Sequence, residues 1–247
     1  MKKGTYKYCY TPPLMMSQEM SQKIKIRVHG NTLAGNYYAG GTSLWILCHG
    51  LGSTKDHPAI TGVAKTLYAK GESVFRFDFS GHGKSKGRES IHNEQHVQEL
   101  GKVMQYFNNK HKEIFLGGTS FSAFLTVIAS LHYKPTGLLT INGIFNPRTF
   151  WIAYSFYAFQ SYFSQHKRKQ ITYYHQQYHP EKLTVPVLVM HGSQDTIVPV
   201  QQSKEFYDLL NCKKQFKILN DANHYLTHKK NVLEVVSTAL SWKRTLP

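Results

Sequence analysis

Apolar and polar residues begin to alternate strictly at residues 23–28, Lys-Ile-Lys-Ile-Arg-Val. A His29-Gly30-Asn31 turn leads from there into residues 31–38, and the pair predicts an antiparallel hairpin with one face exposed. The next run, residues 44–48 (Leu-Trp-Ile-Leu-Cys), is apolar throughout, as a strand buried on both faces of a parallel sheet should be. Beyond it, short apolar runs alternate with stretches of helical period. Helices are predicted over 58–70, 92–110, 121–133, 201–210 and 231–242, and strands over 73–77, 113–116, 137–142, 185–190 and 215–219. Strand-helix alternation of this kind builds a parallel sheet from βα units.

Pattern is scarce before residue 23, where Pro12-Pro13 interrupts a Tyr-rich stretch, so residues 1–22 are read as an arm lying over the body. Residues 23–247 then form one domain, with no internal repeat, linker or low-complexity segment. A chain of 247 residues lies within the range of single-domain α/β folds. Hydrophobic residues at 41% and charged residues at 18% exclude the disordered and fibrous classes. Cysteines 9, 48 and 212 are odd in number and far apart, which suits free thiols in a reducing compartment. Neither a signal-peptide core nor an apolar run long enough to cross a bilayer stands in the sequence, so a cytoplasmic location is expected. Charge is the anomaly: 30 Lys and Arg against 14 Asp and Glu give a formal net charge of +16. Such a balance attracts anionic surfaces and polymers without specificity, and no specific nucleic-acid partner is expected from it.

Loops that follow parallel strands open at the carboxyl edge of the sheet, where ligands bind in open α/β folds. These loops hold His49-Gly-Leu-Gly-Ser53, Asp78-Phe-Ser-Gly-His-Gly-Lys-Ser85, a turn around Ser120, His191-Gly-Ser-Gln-Asp195 and Asn220-Asp-Ala-Asn-His224. Ser120 follows an apolar run and two glycines and precedes a helix, the setting that presents a serine hydroxyl at a strand-to-helix turn. A serine is a poor nucleophile until a base takes its proton, and the base in turn needs an acid to fix its tautomer. Ser120, Asp195 and His224 supply these three groups, each after a predicted strand on one sheet edge. Backbone N–H groups of Leu51 and Phe121 stand where two donors to an oxyanion are needed.

Rival residues fit less well. Asp221 is read as a turn residue, His228 as the start of the last helix, His49 and His82 as loop-ordering side chains, and Arg76 and Asp78 as structural. Gly50-Leu-Gly52 lacks the third glycine of a dinucleotide fingerprint, because Lys55 stands there. Gly83-Lys-Ser85 lacks the first glycine of a phosphate-binding loop, replaced by Asp78. His92 and His96 share a helix face but have no glutamate between them in the HExxH position, so they are read as two solvated imidazoles and no metal is expected.

Taken together, the HGxG loop, the DxxGHGxS segment, the elbow serine, HGxxD and the late histidine resemble the α/β-hydrolase superfamily of serine esterases and lipases over residues 24–242. Single-domain carboxylesterases, including cinnamoyl (feruloyl) esterases and monoacylglycerol lipases, look nearest. The resemblance implies a mostly parallel eight-stranded sheet with helices on both faces and a small lid insertion at about residues 146–183. It also implies hydrolysis of a small-molecule ester without a cofactor. A thioesterase with the same triad, or a catalytically silent acyl- or lipid-binding module, is the alternative. On this resemblance Trp151, Tyr154, Phe156 and Phe159 of an aromatic-rich stretch form an apolar or aromatic acyl pocket in the lid. Lys167–Lys169 lie at its rim, and this basic run would associate weakly with an anionic membrane surface. The chain departs from GxSxG at the fifth position, where Ser122 replaces glycine. Its hydroxyl either fills the glycine's place, bonds to the turn, or bonds to Ser120.

Overall fold

A computed structural model describes residues 21–87, 93–146 and 176–247 of the chain. Its eight strands form one sheet in the order β1-β2-β4-β3-β5-β6-β7-β8. The strands are β1 (Gln22–Val28), β2 (Asn31–Tyr38), β3 (Ser43–Cys48), β4 (Ser73–Phe77), β5 (Glu113–Thr119), β6 (Gly137–Ile141), β7 (Val187–Gly192) and β8 (Lys214–Leu219). β1 and β2 pair antiparallel, as does β2 with β4, and every later pairing is parallel. The alternating pattern of β1 is realised directly, with Lys23, Lys25 and Arg27 exposed and Ile26 and Val28 buried. Gln22 belongs to this strand, so the sheet begins one residue before the expected boundary at 23.

Five helices among the described residues cover the two faces: α1 (Pro58–Ala69), α2 (Asn93–Phe107), α3 (Phe121–Tyr133), α4 (Val200–Leu209) and α5 (Lys229–Lys243). One core layer packs side chains of α2, α3 and α4, such as Leu100, Val127 and Phe206, against Ile46, Phe77, Leu116 and Val189. The other packs α1 and α5, through Val63, Leu67, Val235 and Trp242, against Trp45, Phe115, Leu139 and Leu188. Successive residues of β3 to β7 therefore point into opposite layers and both are apolar, which is why these strands read as continuous hydrophobic runs. None of the described helices is long and apolar enough to cross a membrane.

Most elements differ from the expected bounds by a few residues at one end or both, and in three strands a local reason is evident. β5 runs through Gly117 and Gly118 to Thr119 instead of stopping at 116. Gly118 is needed there because a Cβ would lie 2.6 Å from Thr126 Oγ1 and 2.7 Å from Ala123 Cα of the helix that packs across it. β7 starts at Val187, after Pro186, rather than at 185, and continues to Gly192. Proline has no N–H to place in a ladder, so pairing begins after it. β6 ends at Ile141 because Asn142 turns into the left-handed region with φ 50°.

Candidate functional site

The loops after β3, β5, β6, β7 and β8 meet around Ser120. Ser120 is the residue between β5 and α3 and sits at φ 54°, ψ −122°, a strained conformation for a residue with a Cβ. Its backbone is clamped on both sides, with Ser120 N–H donating to Ile141 O at 3.0 Å and Ile144 N–H donating to Ser120 O at 3.1 Å. The clamp holds the hydroxyl away from the sheet. Ser120 Oγ–H donates to His224 Nε2 at 3.1 Å, and His224 Nδ1–H donates to Asp195 Oδ2 at 2.7 Å. All three residues predicted from the sequence are thus brought together, although Ser120 and His224 lie 104 positions apart in the chain.

Asp195 is fixed from the other side. Its Oδ1 accepts the N–H groups of Ile197 at 2.9 Å and Val198 at 2.8 Å. His191 Nε2 stands 3.4 Å from Oδ2 while donating to Val198 O at 2.9 Å, and Ser203 Oγ–H donates to His191 Nδ1 at 2.7 Å. Burial opposes ionisation of Asp195, but hydrogen bonds from His191 and His224, the His224 charge and the Val198 amide outweigh it and hold the carboxyl well below the usual carboxylate range. An ionised acid on Nδ1 fixes the tautomer in which Nε2 can accept the Ser120 proton.

The loop after β3 passes close to Ser120. A Cβ on Gly50 would stand 3.1 Å from Ser120 Cβ and 3.6 Å from Oγ, so a side chain there would press on the elbow, and Leu51 is the next residue of this loop. Phe121 is the first residue of α3, whose first-turn amides have no carbonyl four residues back within the helix. The two expected oxyanion donors thus belong to the loop whose Gly50 approaches Ser120 and to the helix N-terminus that follows it. His49 orders the loop as expected: Phe79 N–H donates to its Nε2 at 3.2 Å and its Nδ1–H donates to Gly50 O at 2.8 Å. Burial lowers its pKa to about 4 against the opposing pull of the Gly50 bond, so the ring is neutral at pH 7.

Ser122 bonds to the turn and not to Ser120. Buried completely, its Oγ accepts Thr119 N–H at 2.9 Å and its one proton is shared between Cys48 O at 2.9 Å and Thr119 O at 3.0 Å. The hydroxyl thus stitches the elbow to the end of β3, a link that a glycine at this position lacks. Ser122→Ala is expected to lower stability by about 1–2 kcal/mol by stranding those groups. In a chain of this size that is roughly 2–4 °C of melting temperature per kcal/mol. Turnover should stay within about threefold, since no bond to Ser120 is lost; thermal denaturation and steady-state kinetics on the same preparation separate the two effects.

The rejected candidates fall where expected, with one exception. Asp221 is an exposed turn residue at φ 55° that pairs with Lys230 at 2.9 Å, and His228 is the N-cap of α5. Asp78 is fully buried and accepts N–H groups of Lys55 at 2.7 Å and Lys84 at 2.9 Å, while Arg76 reaches Asp56 and Lys55 O. His96 is not solvated. It is 2% exposed and packs against Phe79, because residue 96 falls on the same helical stripe as Leu100, Val103 and Phe107, which faces the sheet. His92 lies outside the described residues, as do Trp151, Tyr154, Phe156, Phe159 and Lys167–Lys169.

Two side chains not picked out from the sequence hold the site together. Gln202 Oε1 accepts the N–H groups of Phe145 and Asn146 at 2.9 and 3.0 Å, fixing the chain where it leaves β6. Asn142 bonds to the loops of Asp195 and His224. An Asn-Gly pair at a strand end signals a tight turn, which was the available hint for Asn142; Gln202 carries no local signal.

Residues 41–240 match the model of a family described as "Alpha/beta hydrolase domain". Among solved structures, Est1E from Butyrivibrio proteoclasticus with ferulic acid bound superposes with a TM-score of 0.76 at 20% identity, covering 90% of this chain and 100% of that one. The Pyrococcus furiosus esterase Pf2001 gives a TM-score of 0.72 at 20% identity over 92% of each chain. An alpha-beta serine hydrolase homologue from Coxiella burnetii gives 0.68 at 21% identity, covering 92% of this chain and 98% of that one. Likeness at these identities concerns the fold. No curated protein matches the chain by sequence.

Proposed function

The chain belongs to the alpha/beta hydrolase domain family, and on that premise we propose that it is a serine hydrolase that cleaves carboxylic esters through an acyl-enzyme intermediate. The observation that carries this reading is one imidazole bridging Ser120 Oγ at 3.1 Å and Asp195 Oδ2 at 2.7 Å. His224 takes the Ser120 proton as Oγ attacks the ester carbonyl carbon, and the negative charge that forms on the carbonyl oxygen accepts hydrogen bonds from the Leu51 and Phe121 amides. Collapse expels the alcohol, which leaves with the proton held on His224 Nε2. Water then attacks the acyl-Ser120 ester with His224 again as base, releasing the acid and restoring the serine.

For the acyl group we favour an apolar or aromatic one. Support comes from the aromatic density of residues 150–163 and from the ferulic acid held by Est1E. In this reading Trp151, Tyr154, Phe156 and Phe159 contribute the pocket wall. The test is activity of the purified protein on p-nitrophenyl esters of graded chain length beside feruloyl esters and acyl-CoA thioesters. Ester turnover that rises from acetyl to longer or aromatic acyl groups, and falls back when Trp151 and Phe156 become alanine, is the expected result. Preference for the thioesters overturns the ester assignment, and absence of turnover on the whole panel together with no labelling by a fluorophosphonate overturns the hydrolase.

A further inference from the structure

The last residue of β6 and the three that follow it take no part in bond making, yet they touch all three loops that carry the candidate triad. Ile141 O and Ile144 N–H hold the two sides of the Ser120 peptide. Between them, Asn142 is 1% exposed and lies at φ 50°, a left-handed conformation that asparagine tolerates better than most residues. Its backbone N–H donates to Met190 O at 3.0 Å. Its Oδ1 accepts Gly192 N–H at 2.8 Å, at the end of the strand that leads to Asp195, and its Nδ2 donates to Asn223 O at 3.2 Å and to His224 O at 3.0 Å. One amide hydrogen faces the oxygen side and two carbonyls face the nitrogen side, so only this orientation of the carboxamide satisfies all three.

We propose that Asn142 is a positioning residue for the triad: its carboxamide ties the backbone of His224 to the strand end that carries Asp195, at the turn that also clamps Ser120. The proposal rests on reading Ser120, His224 and Asp195 as the catalytic groups. Other bonds join the acid and histidine loops, such as Gln194 N–H to Ala222 O at 2.9 Å, but these hold the base of the histidine loop. Asn142 holds the peptide of the histidine itself. Because a Ser–His contact works only when the reacting atoms are held in line, a displacement of about 1 Å in His224 is worth up to about a hundredfold in rate.

Asn142→Gly tests this, since glycine accepts the left-handed backbone and removes only the clasp. Asn142→Asp keeps the size and the Gly192 contact but sets a carboxylate against the two carbonyl oxygens, and it carries the test if the glycine variant does not fold. Active sites are counted by fluorophosphonate labelling taken to completion, and kcat per site is measured well below each melting midpoint. We expect kcat per site to fall about 10- to 100-fold in the glycine variant and further in the aspartate variant, with KM within about threefold of the parent. Val236→Ala, a core truncation in α5, should lower the melting midpoint while leaving kcat per site unchanged. Parental kcat per site in both Asn142 variants, whatever their melting midpoints, overturns the proposal. Retained turnover in Ser120→Ala overturns instead the triad reading on which it rests.

Discussion

Ser120→Ala is expected to lower kcat by about 10⁴- to 10⁶-fold and to abolish labelling by a fluorophosphonate, while the protein stays folded. The size of the loss follows from the hydroxyl being the group that attacks: without it the imidazole and the amide donors act only on a bound water, and catalysis drops to what binding and the oxyanion contacts provide. Stability should hardly change. The side chain's hydrogen bond is to His224, and the backbone bonds to Ile141 and Ile144 that hold the turn are untouched by the substitution. Alanine inherits the same strained φ of 54°, so no relief offsets the lost bond. Melting curves by circular dichroism, read beside kinetics, check both halves of the expectation. Turnover within about tenfold of the parent would show that Ser120 is not the nucleophile.

Asp195→Asn should cost about 10³- to 10⁴-fold in kcat although it changes a single atom. Two backbone amides, Ile197 N–H at 2.9 Å and Val198 N–H at 2.8 Å, require an oxygen at the Oδ1 position. The new NH₂ must therefore face His224 Nδ1. There it acts as a donor to a nitrogen that has to be a donor itself, so the imidazole is driven to the tautomer with its proton on Nε2, pointing at Ser120. The base is then occupied. The variant also loses the negative charge that stabilises the imidazolium in the transition state. A second signature lies in stability against pH. Because the folded-state carboxyl is held below its ordinary value of 3.8, its ionised form contributes stability that is present above that value and lost as pH falls through the lower folded value. The gap in stability between parent and Asp195→Asn should accordingly narrow as pH drops below about 4. A gap that is constant with pH, or a rate within tenfold of the parent, would remove Asp195 from the triad.

How much of this was legible in the chain itself varies with the range of the interaction. Ser120, Asp195 and His224 could be found because each follows a predicted strand, and in a parallel sheet all such strand ends lie on one edge. The glycines at 50 and 118 were legible as parts of the loop after β3 and of the Ser120 turn, and the structure makes both places where a Cβ would press on Ser120 or on the helix after it. Ser122 could be singled out as a departure, but which of three partners its hydroxyl takes depends on where the end of β3 passes, and that is a tertiary fact. His96 was misread for a related reason. Spacing from His92 suggested an exposed pair, whereas the stripe it shares with Leu100, Val103 and Phe107 turns it inward against Phe79. Asn142 and Gln202 look like ordinary polar residues, since what distinguishes each is a set of partners 50 or more positions away.

By itself the sequence determined the order of strands and helices, the parallel character of the sheet, and which residue types wait at its carboxyl edge, because periodicity and turn chemistry are local and a strand's neighbours need not be known to read them. Only the tertiary structure decided the distances that make Ser120, His224 and Asp195 one hydrogen-bonded unit, the route of the Ser122 hydroxyl, and the clasp of Asn142. Those depend on the sheet order β3-β5-β6-β7-β8, which places the elbow, the turn after β6, the acid loop and the histidine loop side by side. Hydrogen bonds are sensitive to tenths of an ångström, and that precision is set by packing across the whole domain rather than by any one stretch of chain.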